Sequence, residues 1–487
     1  MPPMRITGAA LVAAMALLVG PLVMGEQSEG GPGRTTLVRH FTTSDQIAGR
    51  YQYLPFDVPV GTGSLRITYQ YDRAEGENVI DLGLFEPGPL DLGTRAFRGY
   101  SGGAKTGILL SPTEATPGYR AGPLPAGRWH VLLGLYKVRE PGVDVRVDVE
   151  MQDGPTARAS PNLVRRPASE SIPPVSRWFA GALHTHTVHS DGALSPSELL
   201  ELGRKARLDF VAITDHNTVT HQDELASQTS IPSSPLLIVG EEVTTPGGHA
   251  SVWGLGPREW VDFRVGPKDG RISELVSAAH RFGALFSVNH PASECMACGW
   301  THGWVEGIDA VEVSNGQHGE VARALTIWDG LLRAGRRITA VGSSDWHRAP
   351  NPIDNAHVRV LASSLTESAI LDAIRRGRVI VMHSVRDATP DITVTSGSNV
   401  ARVGESLPLT PGSTETVKVI APGMAGAEMV VVANGERVAT KRLDPRGEAR
   451  IEKRFGPASG SGYLRVELRG TDGMPLAIAN PVYLVRP

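Results

Sequence analysis

Hydrophobic positions along this chain repeat with two different periods, and the switches between them divide it into three parts. From about residue 34 to 151 the period is two. Residues 143–150, Val-Asp-Val-Arg-Val-Asp-Val-Glu, alternate without a break, which marks a strand with one buried and one solvated face. Residues 65–71, 79–85 and 130–136 read as further strands, separated by Gly/Pro punctuation such as Pro123-Leu124-Pro125-Ala126-Gly127. The pattern predicts an N-terminal β-sandwich. No catalytic cluster falls in it, so its expected role is structural or accessory, with glycan contact as the alternative.

From about Trp178 the pattern changes to alternating strand and helix. Ser195, Pro196 and Glu198 carry a capping-box signature with proline at the first helical position, which predicts a helix to about Ala206. A buried strand over 210–213 follows. Helices over 274–282, 321–334 and 367–376 then alternate with strands over 285–288, 308–313, 338–341 and 379–382. Repeated βα units predict a parallel sheet, and polar residues at several strand ends favour a barrel over an open sheet. From about residue 391 the period returns to two, over 416–420, 429–433 and 463–468, with Asn434-Gly435 as a hairpin signal. An immunoglobulin-like β-sandwich is expected there.

The ends complete the plan. Arg5 precedes an apolar run over 6–24, which predicts a secretory signal peptide at 1–25. The expected order is then an N-terminal β-sandwich at 26–160, a proline-rich linker at 161–177, an α/β domain at 178–386 and a C-terminal β-sandwich at 387–487. Export to the periplasm or the outside follows. No later window reaches the ~18 apolar residues of a membrane span, so none is expected in the mature chain.

Composition narrows the chemistry. At 487 residues the chain is too long for one core. A net charge of −3 gives no reason to expect a nucleic-acid partner. Thirteen of the 15 histidines lie between His184 and His383, where even spacing would put about six. Cys295 and Cys298 are the only cysteines. Export permits a disulfide between them, but two thiols packed near the site remain an alternative, and two sulfurs alone do not make a zinc site.

The histidines recur in short motifs at the ends of apolar runs. His184-Thr185-His186 is followed by Ser190-Asp191-Gly192, then Thr214-Asp215-His216, Glu242-Val243 with His249, Asn289-His290-Pro291, and Ser344-Asp345-Trp346-His347. Side chains two apart on a strand end point the same way, so His184 and His186 share a face. Imidazole and carboxylate are ligands that borderline divalent metals favour, and the set reads as a multinuclear metal site. Asp215 is expected to align His216 or the adjacent loop. His189, His302, His318 and His357 are expected to meet solvent or to support the ligands.

These ordered motifs resemble those of the polymerase and histidinol phosphatase (PHP) superfamily over about residues 178–386. Glu242-Val243-Thr244-Thr245 with His249, and Asn289-His290-Pro291 with Cys295-x-x-Cys298, look closest to its carbaryl-hydrolase-like CehA/McbA branch. The resemblance implies a distorted (β/α)7 barrel holding two or three divalent ions, Zn, Mn or Fe. By motif, His184, His186, Glu242 and Asp345 would hold one ion. Glu242, His249 and His290 would hold a second, and Asp191, His216 and His347 a third. Asp191, Asp345 and His347 are the expected catalytic residues. A metal lowers the pKa of bound water from ~15.7 towards ~7, so a hydroxide nucleophile is expected at neutral pH. The expected substrate is a small-molecule ester, a phosphoester first, with a carbamate or carboxylic ester as the alternative. A non-catalytic glycan or cell-wall binding protein is the reading from a different class.

Overall fold

The computed structural model describes residues 33–154, 176–227, 235–316, 318–383, 388–455 and 462–486, with a short strand at Gln27–Ser28. The expected signal segment and residues 161–175 of the expected linker lie outside the described residues. Among the described residues the chain is a mixed α/β structure with many strands and few helices, none long and apolar enough to cross a membrane.

Nine strands organise the centre: β1 (Arg177–Ala182), β2 (Phe210–Ile213), β3 (Leu236–Thr245), β4 (Gly248–Trp253), β5 (Leu285–Val288), β6 (Ala310–Ser314), β7 (Thr339–Gly342), β8 (Ala356–Ala362) and β9 (Val379–His383). They lie in the order β7-β6-β5-β4-β3-β2-β1-β8-β9. Period two separates their faces. Phe210 and Ala212 join an apolar cluster to which Phe179, Ile238, Trp253, Leu285, Ala310 and Val341 also belong. Val211 and Ile213 point the other way, against Leu199 and Leu200 of α1 (Pro196–Lys205). That helix starts as the sequence predicts, with the Ser195 hydroxyl accepting from Glu198 N and the Glu198 carboxylate accepting from Ser195 N. Just past β1 and β7, Thr185 pairs with Trp346 in an isolated parallel bridge, so the two strands' extensions meet.

The expectation of a parallel sheet holds for only part of the centre. β1–β2–β3 and β5–β6–β7 are parallel, but β4 runs antiparallel to both β3 and β5, and β8 and β9 are antiparallel too. The cause of the first reversal is local. Pro246-Gly247 forms a two-residue turn, and Gly248 has a φ of 123° with Trp300 Cα only 2.8 Å from where a Cβ would stand. Only glycine fits such a backbone. The reversal matters for the site, because an antiparallel strand begins where its parallel neighbours end. His249, the second residue of β4, therefore lies at the same end of the sheet as the ends of β1 and β2.

Residues 33–153 form two antiparallel sheets sharing one apolar core that includes Leu65, Ile67, Leu82, Trp129, Val131 and Val147. The C-terminal strands form a four-stranded sheet, while strand Pro475–Ala479 pairs with β9 and continues the central sheet into Gly462–Arg469 and Glu428–Ala433. Helix α2 (His318–Arg333) is tied to that extension by a buried ion network. Arg465 Nη2 lies 2.6 Å from Asp329 Oδ2, Arg465 Nη1 lies 2.5 Å from Glu467 Oε1, and the Tyr463 hydroxyl donates to Asp329 at 2.8 Å.

Removing one partner of a buried pair strands the other, at about 3–5 kcal/mol. Asp329→Ala is expected to lower unfolding stability in denaturant by that amount, and a loss under about 1 kcal/mol would mark the network as no better than an exposed ion pair. Asp81, which accepts from the Tyr100 hydroxyl at 2.6 Å, gives a pH-dependent test. Burial pushes its carboxyl up to about 6 from 3.8, against the lowering effect of that hydrogen bond. The folded chain then binds this proton more tightly than the unfolded chain. The contribution is full below 3.8 and is lost as pH rises through about 6. Asp81→Asn is therefore expected to gain melting temperature relative to the wild type between about pH 4 and about pH 7, whereas parallel curves would contradict the shift.

Candidate metal centre

The first two histidines sit just beyond β1, where the backbone is held from the opposite strand end. Leu183 N and His184 N both donate to Ser343 Oγ, at 3.2 and 3.0 Å, and His186 N donates to Trp346 O at 2.9 Å. The Thr185 side chain points away to Ala212 O, as period two requires, leaving both imidazoles on the other side. The chain then folds back through Ser190-Asp191-Gly192, where a Cβ on Gly192 would collide with His186 O.

Glu242 lies three residues past the last β2–β3 pair, Ile213↔Val239, and its carboxylate is the hub. Oε1 is 3.1 Å from His184 Nε2, 3.3 Å from His249 Nδ1 and 3.3 Å from His290 Nε2. Oε2 is 2.9 Å from His216 Nδ1 and 3.5 Å from His186 Nε2. Asp345 Oδ1 lies 3.1 Å from His186 Nε2, 3.2 Å from His184 Nε2 and 3.6 Å from His347 Nδ1. Asp191 Oδ1 lies 3.3 Å from His347 Nε2 and 3.7 Å from His216 Nε2. The structure thus brings all nine of the sequence-selected residues together. His290 and Asp345 adopt left-handed φ values of 25° and 48°, a local strain tolerated where side-chain direction matters.

Six imidazoles and three carboxylates meet here, and with the imidazoles neutral the carboxylates leave excess negative charge that protons or cations must offset. Burial disfavours the imidazolium of His184, yet Asp345, Glu242 and Glu312 pull it well above the ordinary range. Glu242 and Asp191 lift His216 to about 9 against the same penalty. His186, buried beside His347 and His216, is pushed down to about 4 and stays neutral. Burial opposes ionisation of Glu242, but His184, His216 and His249 hold its carboxyl well below the usual range. Several ligand atoms are buried with charged neighbours but no well-aligned hydrogen bond: Asp191 Oδ1, Glu242 Oε2, His290 Nδ1 and both nitrogens of His249. Lone pairs facing one another in this way fit divalent cations. Four overlapping groups have donor atoms within 4.8 Å of one another: His184/His186/Glu242, His216/Glu242/His249, His186/Asp191/His216/His347 and His184/His290/Glu312.

Sequence reasoning missed Glu312. It is 3% exposed on β6, with Oε1 3.3 Å from His184 Nδ1 and Oε2 accepting from His290 N at 2.9 Å. Its signal was a carboxylate inside the apolar run Ala310-Val311-Glu312-Val313. Asp215 holds the adjacent loop, accepting from Thr187 N, Thr187 Oγ1 and Ser190 Oγ, each at 2.7 Å. His221, which had no motif to mark it, lies 3.3 Å from the other side of Asp215. His189 contacts Thr220 and Glu224, His302 contacts Thr245, and the side chain of His318 lies outside the described residues. Cys295 and Cys298 form a disulfide.

The N-terminal sheets also reach this loop. Lys105 Nζ donates to Val188 O and Ser190 O at 3.1 and 3.2 Å. Gly118 N approaches His189 Nδ1 at 3.3 Å, while its carbonyl accepts from Thr218 Oγ1. Any Cβ at Gly118 would lie 2.7 Å from His189 O, so the two layers touch through backbone.

No family model matches this chain. It is 41% identical to an uncharacterized protein of Methanocaldococcus jannaschii over 69 residues, 12% of this chain and 32% of that protein, so it spans about a third of the relative's length. Its structural neighbours include a two-domain protein of Bacteroides vulgatus containing a predicted PHP-like metal-dependent phosphoesterase. That likeness has 17% identity and a TM-score of 0.36, over 66% of this chain and 100% of that one. A second neighbour, from Bifidobacterium adolescentis and itself only proposed to be a metal-dependent phosphoesterase, has 19% identity and a TM-score of 0.26, over 37% of this chain and 92% of that one.

Groups that orient a metal-binding histidine affect affinity about 10–100-fold. Glu312→Gln is expected to weaken divalent-cation binding by that factor in competition with a chromogenic chelator. Unchanged affinity would show that Glu312 does not position His184 or His290.

Proposed function

We propose that this chain is an exported, metal-dependent hydrolase of the PHP superfamily that acts on phosphoesters. The observation that carries the reading is Glu242, one buried carboxylate with five imidazole nitrogens 2.9 to 3.5 Å from its oxygens. The β1–β7 array is read as the distorted (β/α)7 barrel, with the flanking sheets as β-sandwiches. Within the superfamily, the Glu242-Val243-Thr244-Thr245 element favours the CehA/McbA branch. Export rests on the apolar run over 6–24.

His184, His186, Glu242 and Asp345 would hold one divalent ion. Glu242, His249 and His290 would hold a second, and Asp191, His216 and His347 a third, with Zn, Mn or Fe suited to these donors. Such ions, when bound, supply Lewis acidity and an ionised water near neutral pH. The chain's own residues set the direction of approach. The side chains of His184, His186 and Glu242 are at most 1% exposed, whereas Asp191 is 41%, His347 27% and Asp345 25% exposed. Substrate therefore meets Asp191 and His347 first. With the first two ions bound and the third position unfilled, their 3.3 Å pairing would let the imidazole hold a proton against the carboxylate and deliver it to a departing oxygen; with the third position filled, both side chains serve as ligands. Arg348 Nη2, which donates to Asp191 O at 2.8 Å, adds positive charge beside that opening for an anionic ester.

One observation favours a carbamate or carboxylic ester instead. Trp300 packs on Gly248, next to His249, with the Trp304 ring centroid 6.4 Å away, which offers an aryl group an apolar wall. Trp346 is buried and donates to Asn351 O, so it does not extend that wall.

Metal-loaded protein assayed on aryl phosphate mono- and diesters beside naphthyl carbamates separates these readings. Phosphoester turnover is expected, falling at least about 100-fold in His184→Ala and in Asp191→Ala. Turnover of carbamates alone would favour the second reading, and turnover of neither class would overturn both.

A further inference from the structure

A cleft of about 880 Å3 opens between the N-terminal sheets and the segment that follows β4, and none of its lining residues belongs to the histidine centre. Five arginines line it, together with four acids. The acids are already engaged. Glu86 pairs with Arg98 at 2.6 Å, Asp262 with Arg264 at 2.7 Å and Glu274 with Arg271 at 2.8 Å, while Glu259 accepts from Gly256 N at 2.5 Å. Arg98 is consumed as well, because it also donates to the carbonyls of Arg120, Gly122 and Pro123.

Arg95, Arg120, Arg258 and Arg281 remain, and among the described residues none of them has a carboxylate partner within 4.0 Å. Arg120 is half-buried, and burial together with the nearby Arg98 and Arg258 pushes it down to about 10. Asp223 and Glu86 act on it from outside that distance, and Asp223 acts on Arg258 in the same way. Arg258 is exposed and holds a left-handed φ of 61°, a conformation that carries strain in a residue with a side chain. Guanidiniums gathered with counter-charge only beyond ion-pair distance still repel one another, and anionic oxygens that accept from their planar forks remove that repulsion. Pro257 and Phe282 add apolar surface at the same cleft.

We propose that this cleft is a binding site for a small organic polyanion bearing phosphate or carboxylate groups. Its volume suits one such molecule. The inference is independent of what the histidine centre does.

Isothermal titration of full-length, metal-free protein with inorganic tripolyphosphate and with citrate, at about 0.15 M salt, tests it. Saturable binding at one site is expected. It should weaken at least about tenfold in Arg120→Gln/Arg258→Gln and several-fold in Arg258→Gln alone, an exposed position whose change leaves the packing intact. The His184→Ala/His186→Ala variant should bind as the wild type does. Tighter binding of tripolyphosphate assigns the site to phosphate groups, and tighter binding of citrate to carboxylates. Absence of saturable binding, equal affinity in the arginine variants, or loss of binding in the histidine variant would overturn the proposal.

Discussion

A carboxylate cannot be buried alone, and Glu242 is buried almost completely. The features around it answer that constraint. Five imidazoles converge on its two oxygens, Asn289 Nδ2 donates to Oε1 at 2.8 Å, and two neighbouring backbones take up left-handed angles to aim His290 and Asp345 inward. Histidine suits this arrangement because one ring can be a cation or a neutral donor according to its neighbours. Here both states are present: His184 and His216 are drawn toward the charged form, while His186 is held neutral. A centre that needs positive charge and offers lone pairs is suited to divalent cations.

The centre is assembled from more of the chain than the strands that carry its donors. Asp215 pins the 187–190 loop from inside, while Lys105 and Gly118, on loops between strands of the N-terminal sheets, pin it from outside. Asp191 rides on the end of that loop. The C-terminal strands act at longer range. Strand Pro475–Ala479 extends the central sheet past β9, and Asn480 donates to the carbonyls of Ala340 and Val379 while accepting from Ala340 N, steadying the strand that leads to Asp345. The flanking sheets are thus mechanically part of the centre.

Much of this could be read from sequence because donors follow apolar runs. His184, His216, His290 and Asp345 each stand just past a buried strand, and the Ser195 capping box announced its helix. What could not be read depends on pairing in space. The reversal of β4 rests on a two-residue turn and one close approach to Trp300, and nothing in the apolar run Ala250-Ser251-Val252-Trp253 gives its direction. Glu312 was hidden by its own strand, since an acid within an apolar run looks like a solvated position until the opposite face proves equally buried. Lys105 sits far from every histidine motif, and only the packing of two layers brings it to Ser190.

The central claim is that Glu242 and the rings around it hold metal, and direct metal analysis tests it most simply. Purified wild-type protein and Glu242→Gln, dialysed in parallel, would be compared by plasma emission spectrometry. The account predicts about two or more equivalents of divalent metal in the wild type and loss of most of it in the variant. A wild-type chain that holds no metal after loading with Zn, Mn or Fe, or a variant that retains the full content, would contradict it.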